Sequence, residues 1–207
     1  MTQAQAPIRI VIASIAVLVS IPLGCSIHLF GLHGAIDDGA YLSPSGSYSC
    51  QLPGPRDELE INDAIEENGE WVSFDREDGW SYRMDYYRLG ASRIASPPPG
   101  LTDSERLEMI QRRFVEFVLQ PDHPRVTSLH SDDRRVGERE VRIDVLRLEG
   151  SGRREHMGLL TLIHRPNAAV IQTHQPDVSD VDAIIGQLLA FAEGCVSGQQ
   201  LPPRWLQ

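Results

Sequence analysis

Lysine is missing altogether: all 19 basic residues of the 207-residue chain are arginine. That excludes Schiff-base chemistry, a P-loop lysine and a lysine general base. No basic block offsets the 29 acids and the formal charge of −10. The balance therefore argues against nucleic-acid binding, which needs a cationic surface to neutralise phosphate. Cysteine is scarce, and its three copies are too scattered for the paired spacing of structural zinc. The chain has no Gly-x-Ser-x-Gly elbow. Gly150-Ser151-Gly152 lacks both the following helix and the lysine of a phosphate loop.

Enough remains to fold. With 41% hydrophobic residues the chain can bury a core, and its length suits one domain plus an appendage. The negative charge is concentrated. Residues 56–80 hold ten acids against two arginines, which is −8 of the −10. From Ser81 onward the charges nearly balance.

The N-terminus is a different material. Only Arg9 carries a side-chain charge before Asp37. The most apolar part, residues 10–23, has the length of a signal-peptide core. Extended to Leu32 it reaches 23 residues, or roughly 34 Å as helix, enough to span a bilayer. Arg9 ahead and Asp37 and Asp38 behind keep the N-terminus in the cytoplasm and export the rest. Pro22-Leu23-Gly24-Cys25 resembles a bacterial lipobox, which would make Cys25 the lipidated residue. Pro22 and Leu23 depart from the usual residues of that motif. Residues 1–30 are thus a signal peptide or a membrane anchor. A lipoprotein, an uncleaved signal-anchor and a plain secreted protein all remain open.

Export gives the cysteines a use. Cys25 takes lipid or lies in the membrane, and Cys50 and Cys195 are left as a candidate disulfide. Cys50 sits on an alternating strand pattern and Cys195 continues the apolar stripe of the last helix. Both can face one core, as a bridge or as two free thiols.

Residues 31–47, rich in Gly, Ser, Asp and Pro, read as a tether. The globular domain is then 48–198, followed by a tail at 199–207. Residues 48–52 alternate and stop at Pro53, the pattern of an edge strand. The acidic stretch after it reads as a long loop with a helical turn near 59–65. Residues 71–75 and 80–88 form strands around Asp78-Gly79, a strong hairpin signal. On the second strand Trp80, Tyr82, Met84 and Tyr86 share the core face, and Ser81, Arg83, Asp85 and Tyr87 share a wet one. Thr102-Asp103-Ser104-Glu105 is a capping box opening a helix that ends before Pro121. Strands are expected at 126–130, 140–149, 155–164 and 168–174, and a last amphipathic helix at about 179–194. The fold class is α+β: an antiparallel sheet of about six to seven strands packed by two amphipathic helices, behind the N-terminal signal or anchor helix.

Residues 41–53, Val72-Ser73-Phe74-Asp75 and residues 79–89 look like uncharacterised bacterial lipoproteins, and the order of elements is similar to the PsbP-like α+β fold. The resemblance covers the layout of most of 41–195; the acidic stretch and the tail depart from it. It implies a binding or assembly factor and carries over no catalytic residue.

Candidate sites follow from chemistry. Asp75, Glu77 and Asp78 cluster at the hairpin turn as a contact for a basic partner or a cation, although their spacing is not that of a calcium loop. His164 and His174 flank the Pro166-Asn167 turn and are the candidate metal ligands, with nearby carboxylates. No catalytic residue and no cofactor is assigned. The expected function is a membrane-tethered extracytoplasmic binding or assembly module, facing the periplasm or exterior of a bacterial envelope, with an envelope protein as partner and no nucleic acid. A metal-dependent or hydrolytic envelope enzyme and a purely structural lipoprotein are the alternatives.

Overall fold

A computed structural model describes residues 33–150, 153–176 and 178–197. The signal or anchor segment, Cys25 and the tail at 199–207 lie outside the described residues. Among the described residues no helix is long and apolar enough to cross a membrane.

Seven antiparallel strands make the main sheet: β4 (Leu59–Glu66), β5 (Gly69–Arg76), β6 (Ser81–Arg88), β7 (Arg125–Val136), β8 (Arg139–Gly150), β9 (Arg153–His164) and β10 (Asn167–His174). Their spatial order is β4-β5-β6-β10-β9-β8-β7. Two three- or four-strand meanders, β4–β6 and β7–β10, thus meet at the β6–β10 seam, where Met84 faces Ile171. A smaller sheet, ordered β1-β2-β3-β11, is built from β1 (Ala35–Asp37), β2 (Ala40–Leu42), β3 (Tyr48–Gln51) and β11 (Cys195–Ser197).

The helices are α1 (Asp103–Phe114) and α2 (Val181–Glu193). The capping box forms at Thr102: Glu105 N donates to Thr102 Oγ1 at 3.3 Å, and Thr102 N donates to Glu105 Oε2 at 2.7 Å. This satisfies two of the amides that a helix start leaves unpaired. A π-helical turn, Val115–Leu119, extends α1 toward Pro121. At α2 the Asp180 carboxylate accepts from the Asp182 and Ala183 amides.

The helices lie on opposite faces. Ile184, Leu188 and Phe191 of α2 pack with Tyr82, Met84, Leu160 and Ile171. Ile110 and Phe114 of α1 pack with Leu146, Leu148, Leu159 and Val170. Leu159 and Leu160 are consecutive on β9, so period-two alternation sends one to each helix. The nearly unbroken apolar run from Met157 to Ile163 is what burial on both faces demands. At Gly158 the backbone of β9 comes so near α2 that a Cβ would sit 2.8 Å from Ile184 Cγ2.

Several expectations change. The span read as a tether contains β1 and β2, and Tyr41 within it is 1% exposed, set edge-on to Phe74 at 5.7 Å. Two large tyrosines, Tyr41 and Tyr48, anchor that Gly- and Ser-rich segment to the core. The stretch read as an acidic loop with a helical turn is the strand β4; Leu59, Ile61 and Ile65 alternate along it. β3 is no edge, since it pairs with both β2 and β11. β7 runs to Val136, well beyond the expected 130, because β8 supplies partners along its polar second half.

Cys50 and Cys195 are directly opposed on β3 and β11 and joined by a disulfide, with Cα atoms 4.0 Å apart and a sequence separation of 145. The bridge ties the start of the domain to the end of α2. Replacing both cysteines with serine is expected to cost about 2–5 kcal/mol, read as a lower urea midpoint. Gly158→Ala should cost about 1–3 kcal/mol by overpacking α2 against β9, in the same measurement.

Candidate binding surface

Between Asp57 and Asp75 the chain carries eight acids and no base. The fold turns this stretch into the β4–β5 hairpin at one end of the main sheet. Alternation sorts its side chains. Glu60, Asn62, Ala64 and Glu66 point to the face that carries α1; Leu59, Ile61, Asp63 and Ile65 point to the face that carries α2. Leu59 is buried there, while Ile65 near the hairpin tip stays 48% exposed. Asp63 Oδ2 accepts from Tyr41 Oη at 2.8 Å and from Gly34 N at 2.6 Å. Burial and Asp63 together push the Tyr41 phenol far up. Glu70 is buried, and its Oε1 accepts from Ser45 Oγ at 2.6 Å. The exposed acids are therefore Asp57, Glu58, Glu60, Glu66 and Glu67.

The turn residues Asp75, Glu77 and Asp78 are placed differently from an open cation site. Asp75 accepts from Ser81 Oγ. Asp78 Oδ2 is 2.6 Å from Arg76 Nη2, and its Oδ1 accepts from Trp80 N at 3.3 Å. Only Glu77 has no side-chain hydrogen bond among the described residues. Among those residues no group of three or more His, Cys, Asp or Glu is placed to hold a metal ion.

The histidine pair does not form. The turn pairs His164 with Asn167, so His174 falls opposite Met157 at the far end of β10. Seven residues of strand put them roughly 23 Å apart along β10. They also face opposite sides of the sheet. His164 lies half-buried near Tyr48, Tyr86, Arg139 and Cys195. Burial, helped by the Arg139 charge, lowers its imidazole to about 4. His174 Nε2 is 3.4 Å from Glu155 Oε2. Burial lowers that imidazole and the Glu155 charge opposes the shift.

A polar array on the α1 face was not visible in the sequence. Asp85, on the side of β6 expected to be wet, is only 4% exposed. Arg83 clamps it, with Nη2 2.7 Å from Oδ1 and Nε 3.0 Å from Oδ2, and Gln172 Nε2 donates to Oδ2 at 2.7 Å. The Arg83 guanidinium lies 4.4 Å from the Trp71 ring. Burial still leaves the Asp85 carboxyl above its ordinary value, against the pull of Arg83 and Gln172. Arg83 and Asp85 line a groove of about 610 Å³ together with Tyr87, Arg93 and Phe117. The Arg-x-Asp spacing placed both residues on one face. Their burial depends on β10 and on the chain from 92 to 121, which no local signal announces.

No protein-family model matches the sequence, and no curated protein matches it. Among solved structures the fold is similar to the solution structure of cyanobacterial PsbP (CyanoP) from Synechocystis sp. PCC 6803, with a TM-score of 0.54 and 10% identity, over 79% of this chain and 96% of that one. At that identity the likeness shows the fold alone: a PsbP-like α+β domain. A Pseudomonas aeruginosa protein of unknown function, PA94, gives a TM-score of 0.42 at 11% identity, over 84% and 97% of the two chains. The T6SS immunity protein TplEi of Pseudomonas aeruginosa gives 0.39 at 10% identity, over 81% of this chain and 50% of that one. The α+β layout expected from the sequence is borne out by the sheet order and by the likeness to CyanoP.

His164 makes stability depend on pH. The folded chain binds its proton only near pH 4, the unfolded chain near the ordinary 6.5. Between these values the unfolded state holds more protons, so stability falls as pH drops through that window. The urea midpoint of His164→Gln should fall less between pH 7 and pH 4.5 than that of the parent. Arg83→Met strands a buried carboxylate and should cost about 3–5 kcal/mol. Adding Asp85→Leu should recover most of the loss, again by urea midpoint.

Proposed function

We propose that this protein is a membrane-tethered, extracytoplasmic binding module whose acidic β4–β5 hairpin contacts a basic partner in the cell envelope. The observation that carries this reading is the position of the acid. Six acids fall on the Leu59–Arg76 hairpin at the end of the sheet, with Asp57 and Glu58 just ahead of it and Arg76, at its end, as its single base. An exposed single-sign surface steers an oppositely charged partner and makes association sensitive to salt. The Cys50–Cys195 disulfide supports an oxidising, extracytoplasmic setting. The apolar run behind Arg9 supports a tether, with Cys25 as the lipidated residue or the whole segment as an uncleaved anchor.

Two measurements test the two halves of the reading. Intact mass of the mature chain should show either a lipidated N-terminal Cys25 or an uncleaved N-terminus; cleavage without lipid removes the tether. Neutralising Glu58, Glu60, Glu66 and Glu67 to glutamine should remove a basic partner from the set cross-linked in the envelope. An unchanged set of cross-links removes the acidic contact.

A further inference from the structure

The two ends of the main sheet are not alike. β7, at one end, breaks register between Ser128 and His130 and carries Arg134 and Arg135. A bulge and cationic side chains are the usual protections of a sheet edge. β4, at the other end, has no bulge, and its cationic cover is confined to its first residue, where Arg56 Nη1 donates to Leu59 O at 2.8 Å; among the described residues nothing similar guards residues 60–66. Its eight residues pair with β5 in unbroken register from Leu59↔Arg76 to Glu66↔Gly69. It contains no proline, no glycine and no base. Every second residue of such an end strand turns its N–H and C=O away from the ladder. Among the described residues no strand pairs with that side of β4.

The side chains say what could pair there. On the α1 face Glu60 and Glu66 flank the edge, and both are exposed. On the other face Ile65 is 48% exposed and Ile61 is partly so. Asp63 is engaged by Tyr41 and Gly34. A second copy of β4 would bring acids against acids, which is unfavourable for cross-strand neighbours. An extended segment with basic residues on one face and apolar residues on the other would place cations beside Glu60 and Glu66. Its apolar residues would then cover Ile61 and Ile65.

The geometry points to β4 as a site of β-strand addition for an extended segment of another protein that alternates basic and apolar residues. This rests on the reading of a basic partner and specifies how that partner is held. Main-chain hydrogen bonds supply the attachment, and the glutamates and isoleucines supply the choice of sequence.

The test uses the full chain in detergent and three blocked eight-residue peptides. One alternates arginine and valine; one is the same peptide with every backbone nitrogen methylated; one alternates glutamate and valine. The arginine–valine peptide should bind and slow hydrogen exchange of amides in 59–66, leaving β7 unchanged. The methylated peptide, with the same charge, should lose binding. Glu60→Lys with Glu66→Lys should exchange the preference toward the glutamate–valine peptide. Equal binding of the methylated peptide overturns strand addition and leaves the acidic contact standing. No binding of either arginine peptide overturns strand addition; unchanged envelope cross-links in the glutamine variant overturn the acidic contact as well. Protection of 59–66 in the chain without peptide, with a dimer in sedimentation, overturns the basic occupant in favour of a second copy.

Discussion

Two helices cannot cover a seven-stranded sheet. Seven strands at about 4.8 Å spacing make a sheet roughly 29 Å wide. A helix is about 10 Å across, and here each face receives only one. The structure resolves this shortage differently on its two sides. On the α2 side the small sheet fills the gap, with Tyr41, Tyr48 and Cys50 joining the same core as Phe74 and Met84. On the α1 side only parts of the chain from 92 to 121 reach over β6, leaving a groove there, and the face of β4 and β5 beyond it stays largely polar.

That asymmetry explains where the disulfide and the buried charges lie. The small sheet is short, and its strands β1, β2 and β11 have three residues each. Elements of that size hold their place weakly. The Cys50–Cys195 bridge fastens two of its strands to each other beside the last turn of α2. On the opposite side the shortage leaves Asp85 inside the surface without an apolar cover. It is tolerated because Arg83, Gln172 and Trp71 surround it. The β4 edge is the limit of the same series: it lies at the end of the sheet away from both helices, and its exposed charged residues, Glu60 and Glu66, are all of one sign.

Much of this was legible along the chain. The capping box at Thr102, the Asp78-Gly79 turn and the two apolar stripes are local patterns, and local geometry realises them. The face assignment on β6 held for Tyr82, Met84 and Tyr86 because strand alternation needs no knowledge of partners. β4 was harder. Its alternation is interrupted by Asp63 and diluted by glutamate, so composition suggested a loop while pairing with β5 made a strand. The separation of His164 and His174 was already present in the register: a two-residue turn pairs 164 with 167 and hence 174 with 157. The burial of Asp85 was not legible, because it comes from β10 and from a segment past residue 90.

The sequence by itself determined the α+β class, the order of its main strands and helices apart from β4, and the single acidic stretch that carries most of the net charge. These follow from periodicity, turn chemistry and counting, which act over a few residues. Only the tertiary structure decided that Cys50 meets Cys195, that the helices take opposite faces, and that the acidic stretch is an end strand. Those outcomes depend on contacts between residues tens to more than a hundred positions apart. No local preference encodes them; they are set by which apolar faces can be buried together.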